Sequence, residues 1–163
     1  MKFKVGDAVV YPSQGAGIIE EITEREVLGE THKYLKIVLN RGHMEILVPL
    51  KMGQEVGLRH CIGKEEVKNI YESLKAADLK LPDSWPPRHR AELDILASAN
   101  PYELAKLIGV LAIRDVEKGL ASTERDIAEK AKDMLSSELA VVEDIEVDKA
   151  RERLEQTLVA AQT

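Results

Sequence analysis

The sequence predicts an α+β protein, a small bent β-barrel followed by an all-α domain, and three observations carry that prediction. The first sixty residues alternate along short apolar runs, with Leu35, Ile37 and Leu39 on one side and Tyr34, Lys36 and Val38 on the other. Turn residues break that stretch at short intervals. From about Gly63 the apolar period lengthens to that of a helix.

Strands are expected over residues 5–11, 16–22, 32–39 and 44–49, where β-branched side chains recur. They are separated by Pro12-Ser13-Gln14-Gly15, Leu28-Gly29-Glu30 and Asn40-Arg41-Gly42, residues that turns favour. So many short strands in so little chain fit a barrel of the SH3 or Tudor kind, a module that binds rather than catalyses. Val67, Ile70, Tyr71 and Leu74 then fall at i, i+3, i+4, i+7, a first amphipathic helix ending near Ala77. A second helix is expected from Ser84 as N-cap, with Pro86 and Pro87 in a first turn whose N–H groups lack partners anyway, and with Leu93 and Leu96 on its buried side. Asn100-Pro101-Tyr102-Glu103 opens a third helix with Leu104, Leu107, Ile108 and Leu111 inward, ended by Gly119. A fourth runs from about 123 to 142 through Ile127, Ala131, Met134 and Leu135, and a fifth carries Val147, Ala150, Leu154 and Leu158. The boundary falls near residues 54–64, giving a β-module over 1–60 and a helical domain over 61–163.

Composition bounds the function. At 163 residues, 44% hydrophobic and 32% charged, the chain has the makeup of a globular protein. No apolar run is as long as a membrane span and the first residues lack the apolar core of a signal peptide, so a cytoplasmic location without membrane contact is expected. A single cysteine, Cys61, rules out an internal disulfide. The net charge of −6 disfavours tight binding of nucleic acid, and it is unevenly spread: residues 120–163 hold six lysines and arginines against eleven acids. The run 85–90 holds Arg88 and Arg90 and no acid. A contact with DNA would therefore be local and weak.

No catalytic constellation emerges. Gly57 and Gly63-Lys64 imitate a phosphate loop, but five residues separate the glycines where four are needed, and Glu65 stands where a hydroxyl would hold magnesium. Gly15-Ala16-Gly17 precedes a strand instead of a helix. The four histidines are scattered without metal-ligand spacing. The chain is expected to be neither an enzyme nor a carrier of metal or cofactor. What remains is Trp85, the only tryptophan, ahead of two prolines and of Arg88, His89 and Arg90. Such a ring at a helix start suits a wedge against a base step, with guanidinium groups on nearby phosphates; it equally suits a hydrophobic staple. Arg25, between Glu24 and Glu26, marks a candidate exposed edge, which strand addition would exploit.

Several of these segments, taken together, resemble the CarD/CdnL family of bacterial transcription regulators. They are Phe3-Lys4-Val5-Gly6-Asp7-Ala8-Val9-Val10-Tyr11-Pro12, Gly15 and Gly17, Val48-Pro49, Val56-Gly57-Leu58-Arg59, the Trp85 segment, and Glu117-Lys118-Gly119-Leu120. The N-terminal portion is also similar to a module of the transcription-repair coupling factor, whose helicase motors have no room here. The resemblance implies a monomer, associated with the nucleoid through RNA polymerase, whose β-module grips the polymerase β subunit. It also implies that the helical domain places a tryptophan in the promoter minor groove at the upstream edge of the open complex. Carried onto this chain, the DNA-contacting residues are Trp85, Arg88 and Arg90, and the polymerase-contacting residues are Arg25, Glu26 and Val27. A second polymerase-contacting arginine of relatives is Leu47 here, and Pro86 and Pro87 stand where some relatives have polar or basic residues. The alternative expectation is a protein-interaction adaptor whose helical domain is a scaffold around a buried Trp85.

Overall fold

The computed structural model describes residues 2–53 and 55–162; Gln54, the lower limit of the expected boundary, lies outside them. Five strands form one antiparallel sheet: β1 (Ala8–Tyr11), β2 (Gly15–Val27), β3 (Glu30–Leu39), β4 (Glu45–Pro49) and β5 (Arg59–His60), in the order β4-β3-β2-β1-β5. This is the strand order of a small SH3-type or Tudor-type barrel, as the sequence predicts. A register shift between Ile19 and Glu21 bends β2, whose residues 15–18 pair with β1 and 17–27 with β3. Val9, Ile19, Leu35, Ile37, Leu39, Val48 and Leu58 fill the interior.

Three strands differ from expectation by more than one residue at an end, and β5 is not among the strands expected. β1 begins at Ala8 rather than at residue 5, because Gly6 takes φ 94° and Asp7 closes a turn by accepting from the Lys4 N–H at 3.0 Å. β2 runs on to Val27 and β3 starts at Glu30, joined by Leu28 and Gly29 with φ of 53° and 80°. Two successive positive φ values make the tight hairpin turn whose twist matches that of the flanking strands. The hairpin thereby projects past the barrel as a two-stranded ribbon, exposed over residues 24–31.

Five helices follow: α1 (Val67–Ala76), α2 (Trp85–Ser98), α3 (Pro101–Glu117), α4 (Ser122–Glu143) and α5 (Val147–Ala161). Their core holds the apolar positions predicted for α1, α3 and α5, and Ile127, Ala131 and Leu135 of α4. The α3 start is as the sequence implies: the Asn100 side chain accepts from the N–H groups of Tyr102 (2.9 Å) and Glu103 (3.2 Å). α1 and α3 approach so closely that a Cβ on Gly109 would collide with the Leu74 carbonyl.

α2 departs from the expected pattern. Leu93 is 43% exposed and Leu96 only half-buried, whereas the buried residues are Arg88 and Glu92. The reason is tertiary: the first two turns of α2 face Glu124 and Arg114 of α4 and α3, so the matching side chains are charged rather than apolar. Among the described residues, no helix is long and apolar enough to cross a membrane.

Candidate DNA and polymerase contact sites

Ser84 precedes α2 in an extended conformation, but its side chain caps no N–H. Pro86 and Pro87 occupy the first turn and bring no N–H of their own, while the Arg88 N–H bonds the Ser84 carbonyl at 3.1 Å. This N-terminus therefore offers an anion far less than an ordinary helix does.

Trp85 is 36% exposed. One face lies on His89, with ring centroids 4.9 Å apart and planes inclined by 28°, and the Arg88 guanidinium carbon sits 5.2 Å from the ring centroid. The ring is thus propped from within the helix, not enclosed, and the buried Trp85 of the adaptor alternative is not what the fold provides. The prop is itself anchored. Arg88, 7% exposed, donates from Nε to Glu124 Oε2 at 2.9 Å and from Nη1 to the Asp83 carbonyl at 2.6 Å. Glu92 Oε2 lies 3.7 Å from the same Nε, and Arg114 Nε stands 3.6 Å from Glu124 Oε1. Two guanidinium groups and two carboxyl groups thus make one cluster, buried at Arg88, Glu92 and Glu124 and half-buried at Arg114.

In this geometry the guanidinium of Arg88, expected at phosphate, is engaged with Glu124 and the Asp83 carbonyl and shielded from solvent. Arg90, on the outward side of α2, is exposed and keeps the expected availability. The signal that reading the sequence missed is the Arg88 and Glu92 spacing of i, i+4, which reads as a solvated pair until another helix covers it. Glu124 and Arg114, distant in sequence, carried no signal.

Burial, with the Glu124 carboxylate adjoining, pushes the Glu92 carboxyl up to about 8. A raised folded-state value means that the folded protein binds this proton more tightly than the unfolded chain, where the ordinary value is 4.5. This group's contribution to stability is then fully present below about pH 4.5 and is lost as pH rises toward 8. In urea unfolding at pH 5 and pH 9, Glu92→Gln should gain on the parent by on the order of 2 kcal/mol at the higher pH, since an amide has no charge to bury. Parallel pH profiles for the two proteins would show that Glu92 is ionised throughout.

Arg25, Glu26 and Val27 lie together on the projecting ribbon, paired in register with His32, Thr31 and Glu30. All three are exposed, and the adjoining Leu28 is 99% exposed. Beyond Ile19, no strand among the described residues pairs with the outer edge of β2, so its backbone groups stand open to an incoming strand. Leu47 is 41% exposed on β4, the opposite edge strand of the sheet. Cys61 is half-buried, and burial pushes its thiol up to about 12, the reverse of what a nucleophile needs. Among the described residues, no three His, Cys, Asp or Glu side chains gather as a metal site.

Residues 3–61 match the family described as CarD-like/TRCF RID domain, and residues 69–155 match CarD, C-terminal domain. The chain is 30% identical over 145 residues to "Putative transcription factor YdeB" of Bacillus subtilis (strain 168), an alignment covering 88% of this chain and 94% of that protein. Among solved structures it is similar to the 72-residue N-terminal domain of Myxococcus xanthus CarD, determined by solution NMR. That likeness has 29% identity and a TM-score of 0.32, and it covers 36% of this chain and 79% of the other.

Proposed function

Because the chain belongs to the CarD/CdnL family of transcription regulators, which engage RNA polymerase, we propose that it docks on the polymerase β subunit through its barrel and prolongs the life of the promoter open complex with Trp85. The observation that carries this reading is the propped, half-exposed ring at the start of α2. A flat ring packed on His89 and Arg88, with more than a third of its surface exposed, presents that exposed part to a base step at the junction of paired and melted DNA, in the minor groove. Stacking there offsets part of the base stacking lost on melting.

The electrostatics demand a tether. With Arg88 engaged internally and two prolines at the helix start, Arg90 is left as the basic group of this segment for phosphate, on a chain of net charge −6. Free protein would hold duplex DNA poorly and lose it in salt. Docking on polymerase makes the DNA contact intramolecular, so that a weak contact acts at high effective concentration. The protein works as a monomer in this scheme, with no chemistry at a cofactor or metal.

Docking is assigned to the ribbon of β2 and β3, where Arg25, Glu26 and Val27 flank the open strand edge. Arg25→Glu should lower affinity for the isolated β subunit by about tenfold or more, since it replaces an attractive charge with a repulsive one at an interface edge. Because Arg25 is exposed, the circular dichroism spectrum should not change. An unaltered pull-down with an intact spectrum would take Arg25 out of the interface. The function as a whole is tested by the lifetime of a competitor-challenged open complex with and without the protein, which should lengthen in its presence.

A further inference from the structure

α4 holds both halves of the molecule, one near each end. Close to its N-terminus, Glu124 takes Arg88 and so fixes the turn of α2 beneath Trp85. Fourteen residues on, about 21 Å along the axis at 1.5 Å per residue, Glu138 takes the barrel. This carboxylate is 2% exposed and receives Arg59 through both terminal nitrogens, at 2.7 and 2.8 Å, as well as the Ile62 N–H at 2.9 Å. The same guanidinium donates to the Ala99 carbonyl at 2.7 Å. Ala99 is the C-cap of α2, in the left-handed region at φ 52°, where the unpaired carbonyls of a helix end favour a cation. One side chain of the barrel therefore grips α4 and the far end of the very helix that carries Trp85.

The neighbouring contacts are also polar and directional. Ser137 accepts from the Ala16 N–H at 2.8 Å and donates to Asn40 Oδ1 at 2.6 Å, while Asn40 Nδ2 donates to the Ser137 carbonyl at 2.8 Å. A Cβ on Gly15 would stand 2.9 Å from Ser137 Oγ, so the barrel backbone is close against α4. An apolar seam tolerates sliding; a buried fork of two hydrogen bonds to a carboxylate does not, because displacement leaves unpaired charge in a shielded place.

We infer that Arg59 and Glu138 are positioning residues, a latch that sets α2 at one orientation to the barrel so that docking on polymerase delivers Trp85 to one place on the DNA. This inference rests on the reading of the barrel as the polymerase contact and of Trp85 as the DNA contact. Its consequence follows from effective concentration, which varies inversely with the volume a tethered group explores. Doubling the radius swept by the ring lowers it roughly eightfold. Loss of the latch should therefore cost open-complex lifetime without costing polymerase affinity.

The experiment uses the full chain with Glu138→Gln, an isosteric change that removes the ion pair. Spin labels at Lys51→Cys and Lys118→Cys, both exposed positions in the two halves, report the separation of barrel and helices, with Cys61→Ser in every protein compared removing the native thiol. The expected results are a broadened distance distribution and polymerase affinity within about twofold of the parent. Open-complex lifetime should fall on the order of tenfold, and Trp85→Ala combined with Glu138→Gln should be no worse than Trp85→Ala alone, as coupled residues require. A distribution as narrow as the parent's, an unchanged lifetime, or losses that multiply in the double variant would each overturn the latch. If Trp85→Ala by itself leaves the lifetime unchanged, it is the proposed function that fails, while the distance measurement still decides whether the latch exists. Should Glu138→Gln not fold, Arg59→Lys keeps the charge but cannot reach Glu138 and Ala99 together, and the same measurements apply.

Discussion

Trp85→Ala should shorten the lifetime of the promoter open complex by roughly 5-fold to 150-fold, the range that about 1 to 3 kcal/mol of lost stacking produces. Polymerase affinity should be nearly unchanged, because the ring and the ribbon carrying Arg25 belong to different halves of the molecule. The effect on folding is bounded by the geometry. Trp85 is more than a third exposed and touches His89 and the Arg88 guanidinium, so truncation loses one ring stack and one cation–π contact, about 1 to 2 kcal/mol together, beside the burial of the covered part of the ring. A core tryptophan would cost about 3 to 5 kcal/mol. Melting temperature and lifetime measured on this one variant separate the cases. Full-length lifetime with a small loss of stability would leave the ring without a role at the bubble, and a large loss of stability would make it a packing residue.

Arg88→Ala should behave quite differently from Arg90→Ala, although the two arginines are two residues apart. Removing the Arg88 guanidinium leaves Glu124, 1% exposed, beside a second buried carboxyl with only Arg114, 3.6 Å away, as a cation, and breaking a buried pair costs about 3 to 5 kcal/mol. For a chain of this size that is a fall in melting temperature of about 6 to 20 °C. Arg90 is exposed, so its truncation should change stability by within about 0.5 kcal/mol and should weaken DNA contact instead. Thermal unfolding of the two variants decides the assignment. A stable Arg88→Ala protein with weakened DNA binding would return Arg88 to the phosphates.

The contrast between these neighbours shows where reading the sequence stops. Periodicity located five helices and most of the strands, because apolar spacing and the cap at Asn100 act locally and are written in consecutive residues. The ribbon was legible only in part: Leu28-Gly29 announced a turn, but the charged run Glu24-Arg25-Glu26 gave no apolar alternation to mark the strand that leads to it. The segment around Trp85 was visible as an unusual combination of residue types. Which of its arginines stays in solvent was not visible, since Arg88 is turned inward by Glu124, thirty-six residues away in sequence.

The sequence by itself determined the order of the elements, the chemistry of the exposed segments and the family to which the chain belongs, because each depends on residue types at short range. Tertiary structure alone decided that Arg88 is buried against Glu124 beside the ring of Trp85, and that Arg88 and Glu92 share the covered side of α2 with the half-buried Ile95. It also decided that Arg59 and Glu138 join the barrel to the helix bearing Trp85. The physical reason is common to all three. The destination of a charged side chain is set by the partner that removes it from water, and that partner arrives from another part of the chain, where no local pattern records it.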